Sequence, residues 1–563
     1  MSISLPGGFK AYKLRHLRLD LAAGLTVAIV ALPQSMAYAL IAGVDPVYGL
    51  YASVVAAIVG ALFGSSNHLI TGPTNAIALM VASAMKDFAG GEDFLTRLFL
   101  LTFLVGLFQL ILGLLRVGKV INFVSHSVIV GFTAGAGIII ALGQVNQFFG
   151  ISIAKGYHPL YERVYLTLTG LERTNLYALG LACLTVAIVI IGKKIGRNIP
   201  GSLLGIVISS VLAAVFDLAD KGVGLVGEMP NNLPLFRMPG FGWDLLGGLT
   251  GGAVAIALVG LVEAISIAKS ISLTSGQAID PNREFVGQGL ANMTAAFFQC
   301  IPSSGSFTRS AINLDAKAQT RLAAVFSGVI AAVGLVALAP YAGYIPHASL
   351  AGVIVVVAYN MVNKHAMAKI AKASRFDAAV MSITILATII MPDLEKAILA
   401  GIAVSVIVHL WQTGEVKVRI LMQDGKGGFK EAKPAPHVVE ANPSGILVVH
   451  VEGDLYFGSA ADLEEKMRPI VQEPNAQVCI IRLKRINVVD ISAFEALEGV
   501  IRRLLASGKT VLLCGVSDSL KRFIDAVGLT ALVGEDHIFL AEDRIYASAN
   551  KAYQKAREVM RAG

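Results

Sequence analysis

The stretch CIPSSGSFTRSAIN, Cys300 to Asn313, interrupts a chain written mostly in apolar runs. After Pro302 it places four serines, a threonine, a glycine and an arginine where a lipid-facing helix would carry leucine. Pro302 ends any preceding helix. Ser303, Ser304, Gly305 and Ser306 suit unwound backbone, and Ser306 or Thr308 is placed to cap a short helix running to Asn313. At membrane depth, non-helical backbone is tolerated only where it lines a cavity or is buried in protein. The stretch therefore reads as a broken span built around Arg309.

The surrounding composition supports a bilayer setting. The chain has 563 residues, 55% of them hydrophobic and only 15% charged, against about 25% charged in soluble domains. Runs such as LFLLTFLVGLFQLILGLL and LYALGLACLTVAIVIIG suit a hydrocarbon core that takes roughly 20 residues per helix. The first run begins near Leu21 and many follow it, so a cleaved leader is not expected. The net charge of +8 fits basic cytoplasmic loops better than nucleic-acid binding. Cys183, Cys300, Cys479 and Cys514 stand singly among apolar residues, with no CxxC and no metal-ligand spacing. They read as buried free thiols. No nucleophile–base pair is visible, so neither enzymatic activity nor a cofactor is expected.

About fourteen apolar segments precede a single break in composition near residues 412–443. The basic clusters KAYKLRHLR, LRVGK, GKKIGR, SGQAIDPNRE, DAKAQTR and NKHAMAKIAKASR each follow an even number of segments, whereas KDFAGGEDF and MPDLEK alternate with them. Fourteen spans with both termini cytoplasmic satisfy the positive-inside rule. The expected layout is a cytoplasmic segment over 1–19, a transport domain over 20–412, a linker over 413–443, an α/β domain over 444–555 and a tail over 556–563.

The break at Pro302 has a counterpart. GLYASVVAAIVGALFGSSNHLITGPTNAIA and GQGLANMTAAFFQCIPSSGSFTRSAIN share a glycine-started apolar run, a small polar turn with proline, and a short helix-like run. A span with a polar intruder precedes each: Gln34 in the first, Glu263 in the second. Two inverted repeats, roughly 20–216 and 246–412, would place these pairs symmetrically. Paired Gly/Pro-interrupted segments point to a transporter's binding site.

The chemistry follows from the breaks. Each short helix exposes free N–H groups and about half a positive charge at its start, which attracts anions. In ITGPTNAIALM, Pro73 occupies a position tolerant of proline and the helix starts at Thr74–Ala76. Two such starts and Arg309 sum to about +2, a match for a dianion. An ionised Glu263 would cancel half of that charge, and a protonated one would not. Proton and anion binding would then reinforce each other, as symport requires. A buried Glu–Arg pair that only locks helices is the alternative reading.

PQSMAYALIAGVDPVYGLYAS, GPTNAIA and PSSGSFTRSAIN together resemble the sulfate permease (SulP) family over nearly the whole chain. The resemblance implies a polytopic α-helical membrane protein of about 14 spans, a seven-plus-seven inverted repeat split into core and gate domains. It implies anion transport by elevator-type alternating access, with the site between the half-helices of spans three and ten. Substrate contacts are then expected from Gln34, Tyr38, Thr74, Asn75, Ala76, Ser306, Phe307, Thr308 and Arg309. Glu263 matches the acidic position of proton-coupled sulfate transporters, which the exchangers lack. Sodium–bicarbonate members carry an aspartate and a nearby hydroxyl ligand, whereas Ile267 stands one turn after Glu263 here. Sulfate with protons as coupling ion is the leading expectation; bicarbonate, C4-dicarboxylates, exchange or a channel are the alternatives. A homodimer in a bacterial inner membrane is expected.

From Gly445 the chain alternates strand and helix: GILVVHV, SAADLEEKMRPIV, QVCIIRL, DISAFEALEGVIRRLLASG, KTVLLCGV, SDSLKRFIDAVG. That implies a mostly parallel sheet. SGKT at 507–510 lacks the P-loop's earlier glycine, Arg503 standing there, and no strand precedes it. The segment resembles the STAS module, which implies a cytoplasmic regulatory or dimer-supporting role and a cytoplasmic partner. VVDISAFEAL sits where related antagonists carry a phosphorylated Asp-Ser-Ser-Gly loop, so Ser492 is a candidate regulatory site and Asp490 or Ser492 a candidate N-cap. His450, on an apolar strand, reads as a core histidine.

Overall fold

The computed structural model describes residues 14–118, 125–151, 160–195, 200–227, 232–242, 246–391, 393–423, 428–431, 445–486, 489–544 and 546–562. Residues 1–13 of the expected N-terminal segment, 424–427 and 432–443 of the expected linker, 444 at the start of the expected α/β domain and 563 of the tail lie outside them. The chain forms two compact units, 1–405 and 406–563.

The first unit is helical. Its first half contains α1 (Leu14–Ile41), α2 (Pro46–Phe63), the two-residue β1 (Thr71–Gly72), α3 (Asn75–Ala84), α4 (Phe94–Leu114), α5 (His126–Gly143), α6 (Leu176–Ile195) and α7 (Gly201–Val215). The second half repeats that order as α8 (Leu249–Ser275), α9 (Pro281–Phe297), β2 (Ser304–Gly305), α10 (Phe307–Asp315), α11 (Leu322–Leu338), α12 (His347–Met361), α13 (Arg375–Ile390) and α14 (Leu394–Thr413). Among the described residues, eight helices are long and apolar enough to cross a bilayer.

The packing obeys the repeat. α4 lies along α9, and α11 lies along α2. α1 packs on α11, and α8 packs on α4. α5 packs on α13, and α12 packs on α6. Exchanging the halves turns each pair into its partner, as an inverted repeat demands. Two helix sets result: α1–α4 with α8–α11, and α5–α7 with α12 and α13. Small residues permit the closest approaches. A Cβ on Gly289 of α9 would stand 2.5 Å from the Leu110 nitrogen, and one on Gly131 of α5 would stand 2.6 Å from the Met381 carbonyl. Leu114, Ile190, Ile195, Val211 and Ile390 face outward, as lipid contact allows. Cys183 is exposed among such residues, unlike the buried thiol expected of it.

The second unit is an α/β sandwich. Its six strands lie in the order β4 (Phe429–Glu431), β3 (Lys417–Gln423), β5 (Ile446–Glu452), β6 (Val478–Arg485), β7 (Thr510–Val516), β8 (Ile538–Leu540). β5 to β8 are parallel, and β3 pairs antiparallel with both β4 and β5. β3 and β4 arise within the stretch read as linker: VRILMQ supplies enough apolar residues to extend the sheet. Alternate residues of the central strands feed opposite cores. Leu447, Val449, Ile481 and Leu513 pack with α15 (Ala460–Gln472) and α16 (Ile491–Ala506). Val448, Ile480, Leu512 and Cys514 pack under α18 (Ala547–Ala562), which runs through residues read as a tail. α17 (Asp518–Ala526) covers the first face through Leu520 and Ile524. Burial pushes the Cys479 and Cys514 thiols up to about 12, so both stay protonated and inert.

Candidate anion site at the crossing of two broken helices

β1 and β2 meet antiparallel inside the helical unit, Thr71 opposite Gly305 and Gly72 opposite Ser304. Two residues per strand suffice because both chains turn at once into short helices. Ser306 N donates to Ile70 O at 2.8 Å and extends the ladder by one rung. The α10 side chains complete the strap: Ile70 N donates to Ser310 Oγ at 2.8 Å, and Asn313 Nδ2 to His68 O at 3.1 Å. The extended backbone thus finds partners without water.

Thr74 caps α3, with extended dihedrals (φ −127, ψ 158) and Oγ1 accepting from Ile77 N at 3.5 Å. Ser306 stands at the N-cap position of α10, but its hydroxyl makes no capping bond; its backbone is occupied by Ile70 and Ser310 instead. Thr308 lies within α10 and is exposed, so neither hydroxyl caps that helix in the manner expected.

Arg309 is fully buried in α10. Its Nη2 donates to the Pro73 carbonyl, which fixes the turn that starts α3. Gly72 is glycine for a steric reason: a Cβ there would lie 2.5 Å from Arg309 Nη1. The guanidinium is therefore wedged between Gly72 and the turn that starts α3.

Glu263 of α8 joins the two breaks. Its Oε2 accepts from Thr74 Oγ1 at 3.1 Å and from Ser304 Oγ, and those two hydroxyls stand 3.3 Å apart. Gly260 leaves room for this approach, since a Cβ there would meet Ser304 Cβ at 3.4 Å. Tyr38 is buried on α1 and interacts electrostatically with both Arg309 and Glu263. Gln34, one turn earlier, is buried with Oε1 unpaired among the described residues.

A cavity of about 180 Å³ opens beside Glu263. Ala76, Glu263 and Phe307 line it from the broken-helix side, and Phe132, Thr133 and Ile398 line it from α5 and α14. That volume far exceeds the about 10–15 Å³ needed to hold one water. Asn75 is half-buried, with Oδ1 accepting from Ala76 N at 2.9 Å. Thr74, Ser306 and Arg309 thus meet at the crossing, and Ala76, Glu263 and Phe307 line the cavity itself. Farther along, Lys86 just beyond α3 pairs with Asp393 at the start of α14. Leu394 N donates to Ser83 Oγ at 3.0 Å beside that pair.

Sequence reasoning passed over Ser304, which grips Glu263, and the amides Gln109, Gln288 and Asn292. All three amides are buried. Their signal was available: Gln288 and Asn292 stand about one turn apart and continue a four-residue spacing that begins at Glu284.

In the second unit Asp490, not Ser492, caps α16: its Oδ1 accepts from Ala493 N at 2.9 Å. Its Oδ2 accepts from Phe457 N at 2.7 Å and ties a neighbouring loop to the helix start. Ser492 is exposed in the first turn of α16. His450 is buried against Arg482.

Comparison with known proteins agrees with this architecture. The sulfate permease family model matches residues 17–384, and the STAS domain model matches 438–545. A putative sulfate transporter of Bacillus subtilis, YvdB, is 31% identical over 96% of this chain and 99% of its own length. The chloroplastic sulfate transporter 4.1 of Arabidopsis thaliana is 29% identical over 93% of this chain and 79% of its own. Among solved structures, SLC26A9 shares the fold at a TM-score of 0.88 and 20% identity, covering 98% of this chain and 92% of that one. The transmembrane domain of the cyanobacterial bicarbonate transporter BicA aligns with 70% of this chain and 98% of its own at TM-score 0.61 and 25% identity. The two family models and these relatives together cover nearly the whole chain, and the chain belongs to the sulfate permease family of anion transporters, with a C-terminal STAS domain.

Proposed function

We propose that this protein takes up sulfate together with protons, by alternating access in which α1–α4 and α8–α11 move as one body against the other helices. The observation that carries the reading is the Glu263 carboxylate held by the Thr74 and Ser304 hydroxyls at the start of one half-helix and the approach to the other. An ionised carboxylate occupies those donors and opposes an incoming anion. A protonated one carries no charge and leaves the helix start and Arg309 to the substrate. Proton and anion then favour each other's binding, a coupling commonly of about 1–3 kcal/mol. Gln34, Tyr38, Asn75, Ala76, Ser306, Phe307 and Thr308 complete the substrate surroundings in this reading. The names of YvdB and the Arabidopsis relative favour sulfate over other anions.

The orientation proposed is that of a bacterial inner membrane with both termini cytoplasmic, following the loop charges. Homodimerisation and a cytoplasmic partner for the STAS domain, with Ser492 as a regulatory position, belong to the same proposal. A second reading rests on the same oxygens: a carboxylate and two hydroxyls are hard ligands that also suit a sodium ion. Proteoliposomes loaded with the purified protein separate the two. Labelled sulfate should accumulate under an inward proton gradient and not under a sodium gradient alone. Accumulation driven by sodium, or by neither, would replace this reading. Competition by bicarbonate, succinate and fumarate ranks the substrates.

A further inference from the structure

We propose that Asn292 is a positioning residue for the Glu263 carboxylate, acting through the Ser303–Ser304 backbone. The proposal rests on the reading of Glu263 as the proton-binding group.

α9 carries Glu284, Gln288 and Asn292 at intervals of four residues, each at most 2% exposed. Four residues advance a helix by about 6 Å and return to nearly the same face. A stripe of three buried polar side chains on one helix is costly unless each finds partners. Each one finds a partner in the two extended segments that approach the crossing, Gln288 through Nε2 alone, its Oε1 being unpaired among the described residues. Glu284 Oε2 accepts from Ser65 N at 2.6 Å and from Ser66 N at 3.2 Å, where the first segment begins. Gln288 Nε2 donates to Thr71 Oγ1 at 2.8 Å, on β1.

Asn292 serves the second segment. Its Oδ1 accepts from Ser303 N at 2.8 Å, and its Nδ2 donates to Ser303 O at 2.9 Å. One amide thus gives the Ser303 backbone what a neighbouring strand would give it, at a depth where water cannot. The second Nδ2 proton goes to Gln109 Oε1 at 2.8 Å, and Gln109 Nε2 reaches Ala257 O of α8 at 3.4 Å. Ser304, the next residue, donates to Glu263 on that same helix. Asn292 therefore ties β2 to α8 by two routes that bracket Gly260, where a Cβ would stand 3.1 Å from Gln109 Nε2.

The groups facing Glu263 are the hydroxyls of Thr74 on α3 and Ser304 on β2, with Arg309 on α10 and Tyr38 on α1 as the charged and titratable ones. Of these, Ser304 is the one whose backbone Asn292 holds. Without Asn292 the Ser303 peptide loses both partners, and the Ser304 hydroxyl is free to leave the carboxylate. Gln288 supplies the internal contrast, because it sits on the same stripe and holds β1 instead.

The test is an infrared titration of the full-length protein in lipid, following the protonated-carboxyl band that Glu263→Gln removes. Asn292→Ala and Ser304→Ala should both move its midpoint in the same direction, by about half a unit, a roughly threefold change in proton affinity. The double variant should move it no farther than the larger single change. Gln288→Ala should leave the midpoint in place. Asn292→Asp keeps the acceptor for Ser303 N and serves if the alanine variant does not fold. It should give a smaller shift in the same direction. A midpoint unmoved in both Asn292 variants, or moved equally by Gln288→Ala, overturns the proposal. A wild type lacking the Glu263-dependent band overturns it together with the proton reading. A wild type with the band but without proton-driven uptake of labelled sulfate overturns symport alone and leaves Asn292 to be judged by its shift.

Discussion

Thr74 Oγ1 donates to Glu263 Oε2 across 3.1 Å, so the cap of a half-helix and the middle of a full span share one hydrogen bond. The same hydroxyl accepts from Ile77 N and stands 3.3 Å from Ser304 Oγ. The start of α3, the approach to α10 and the carboxylate of α8 are thereby a single polar unit. Any change in the charge of Glu263 is felt at the helix start, which is also the anion-attracting end.

Glu263→Gln keeps the shape of the side chain and removes its ability to carry charge. In proteoliposomes its sulfate uptake should ignore an imposed proton gradient, with the accumulation ratio falling roughly tenfold or more, inside the 5–150-fold range of ordinary coupling. Exchange of labelled for unlabelled sulfate should persist, because the helix starts and Arg309 remain. Retained proton-driven accumulation in this variant would remove Glu263 from the coupling.

Gly72→Ala tests the strap from its other side. The added methyl would stand 2.5 Å from Arg309 Nη1 and must displace the guanidinium from the Pro73 carbonyl. Overpacking of this kind costs about 1–3 kcal/mol, and the turn into α3 should loosen with it. Thermal unfolding should fall and sulfate uptake should drop at least as far as unfolding predicts. Gly180→Ala on α6, where an added Cβ meets nothing within 4 Å, is the matched control and should change neither.

Much of this site was legible in the sequence because its residues break local rules. Pro73, Pro302 and the Ser304–Gly305–Ser306 run cannot continue a helix, and Glu263 and Arg309 cannot face lipid. Those violations located both half-helices and the carboxylate between them. The direction of Arg309 was not legible: it is set by the Pro73 carbonyl, more than 200 positions away in the chain. Ser304 was passed over for the same reason, since a serine in an unwound run looks alike whether it faces Glu263 or a cavity. In the second unit, the strand–helix alternation marked β5 to β7 by their uniform burial. The antiparallel strands β3 and β4, half-exposed and set in a Gly- and Lys-rich stretch, had no such pattern.

Lys86 and Asp393 form a latch between the end of α3 and the start of α14, and its pH dependence can be given a sign. Lys396 and then Lys86 hold the Asp393 carboxyl below the usual aspartate range. A depressed carboxylate contributes fully above its unfolded value of about 3.9 and is lost only as pH falls through its lower folded value. The latch is therefore closed throughout pH 5 to 8 on that scale, and proton-driven uptake does not come from it. Asp393→Asn should weaken it at every such pH by the same factor. On the proposed orientation this end faces outward. A membrane-impermeant thiol reagent should then label Phe307→Cys, in a Cys183→Ala background, several times faster from outside when Asp393→Asn is added. An acceleration that appears only at one end of this pH range would contradict the sign.

Asp490 gives a prediction confined to the second unit. Its two carboxylate oxygens hold two different backbones, Ala493 N at 2.9 Å and Phe457 N at 2.7 Å, while its own N–H donates to Leu455 O at 2.9 Å. Asp490→Ala leaves the first turn of α16 uncapped, at a cost of typically about 1 kcal/mol, and also frees the Phe457 loop. Hydrogen exchange in the full-length protein should speed up at Phe457 and Ala493 together, by roughly fivefold or more for each kcal/mol lost. Ser492→Ala, two residues on and exposed, should change exchange at neither position, within about 0.5 kcal/mol. Faster exchange at Ala493 alone would mean that the loop is held by its other neighbours and that Asp490 is a plain cap. Joint acceleration would instead make Asp490 the hinge pin through which a charge placed on Ser492 could reach the Phe457 loop. In that case Ser492→Asp should alter exchange at Phe457 and Asp490→Ala should abolish its effect.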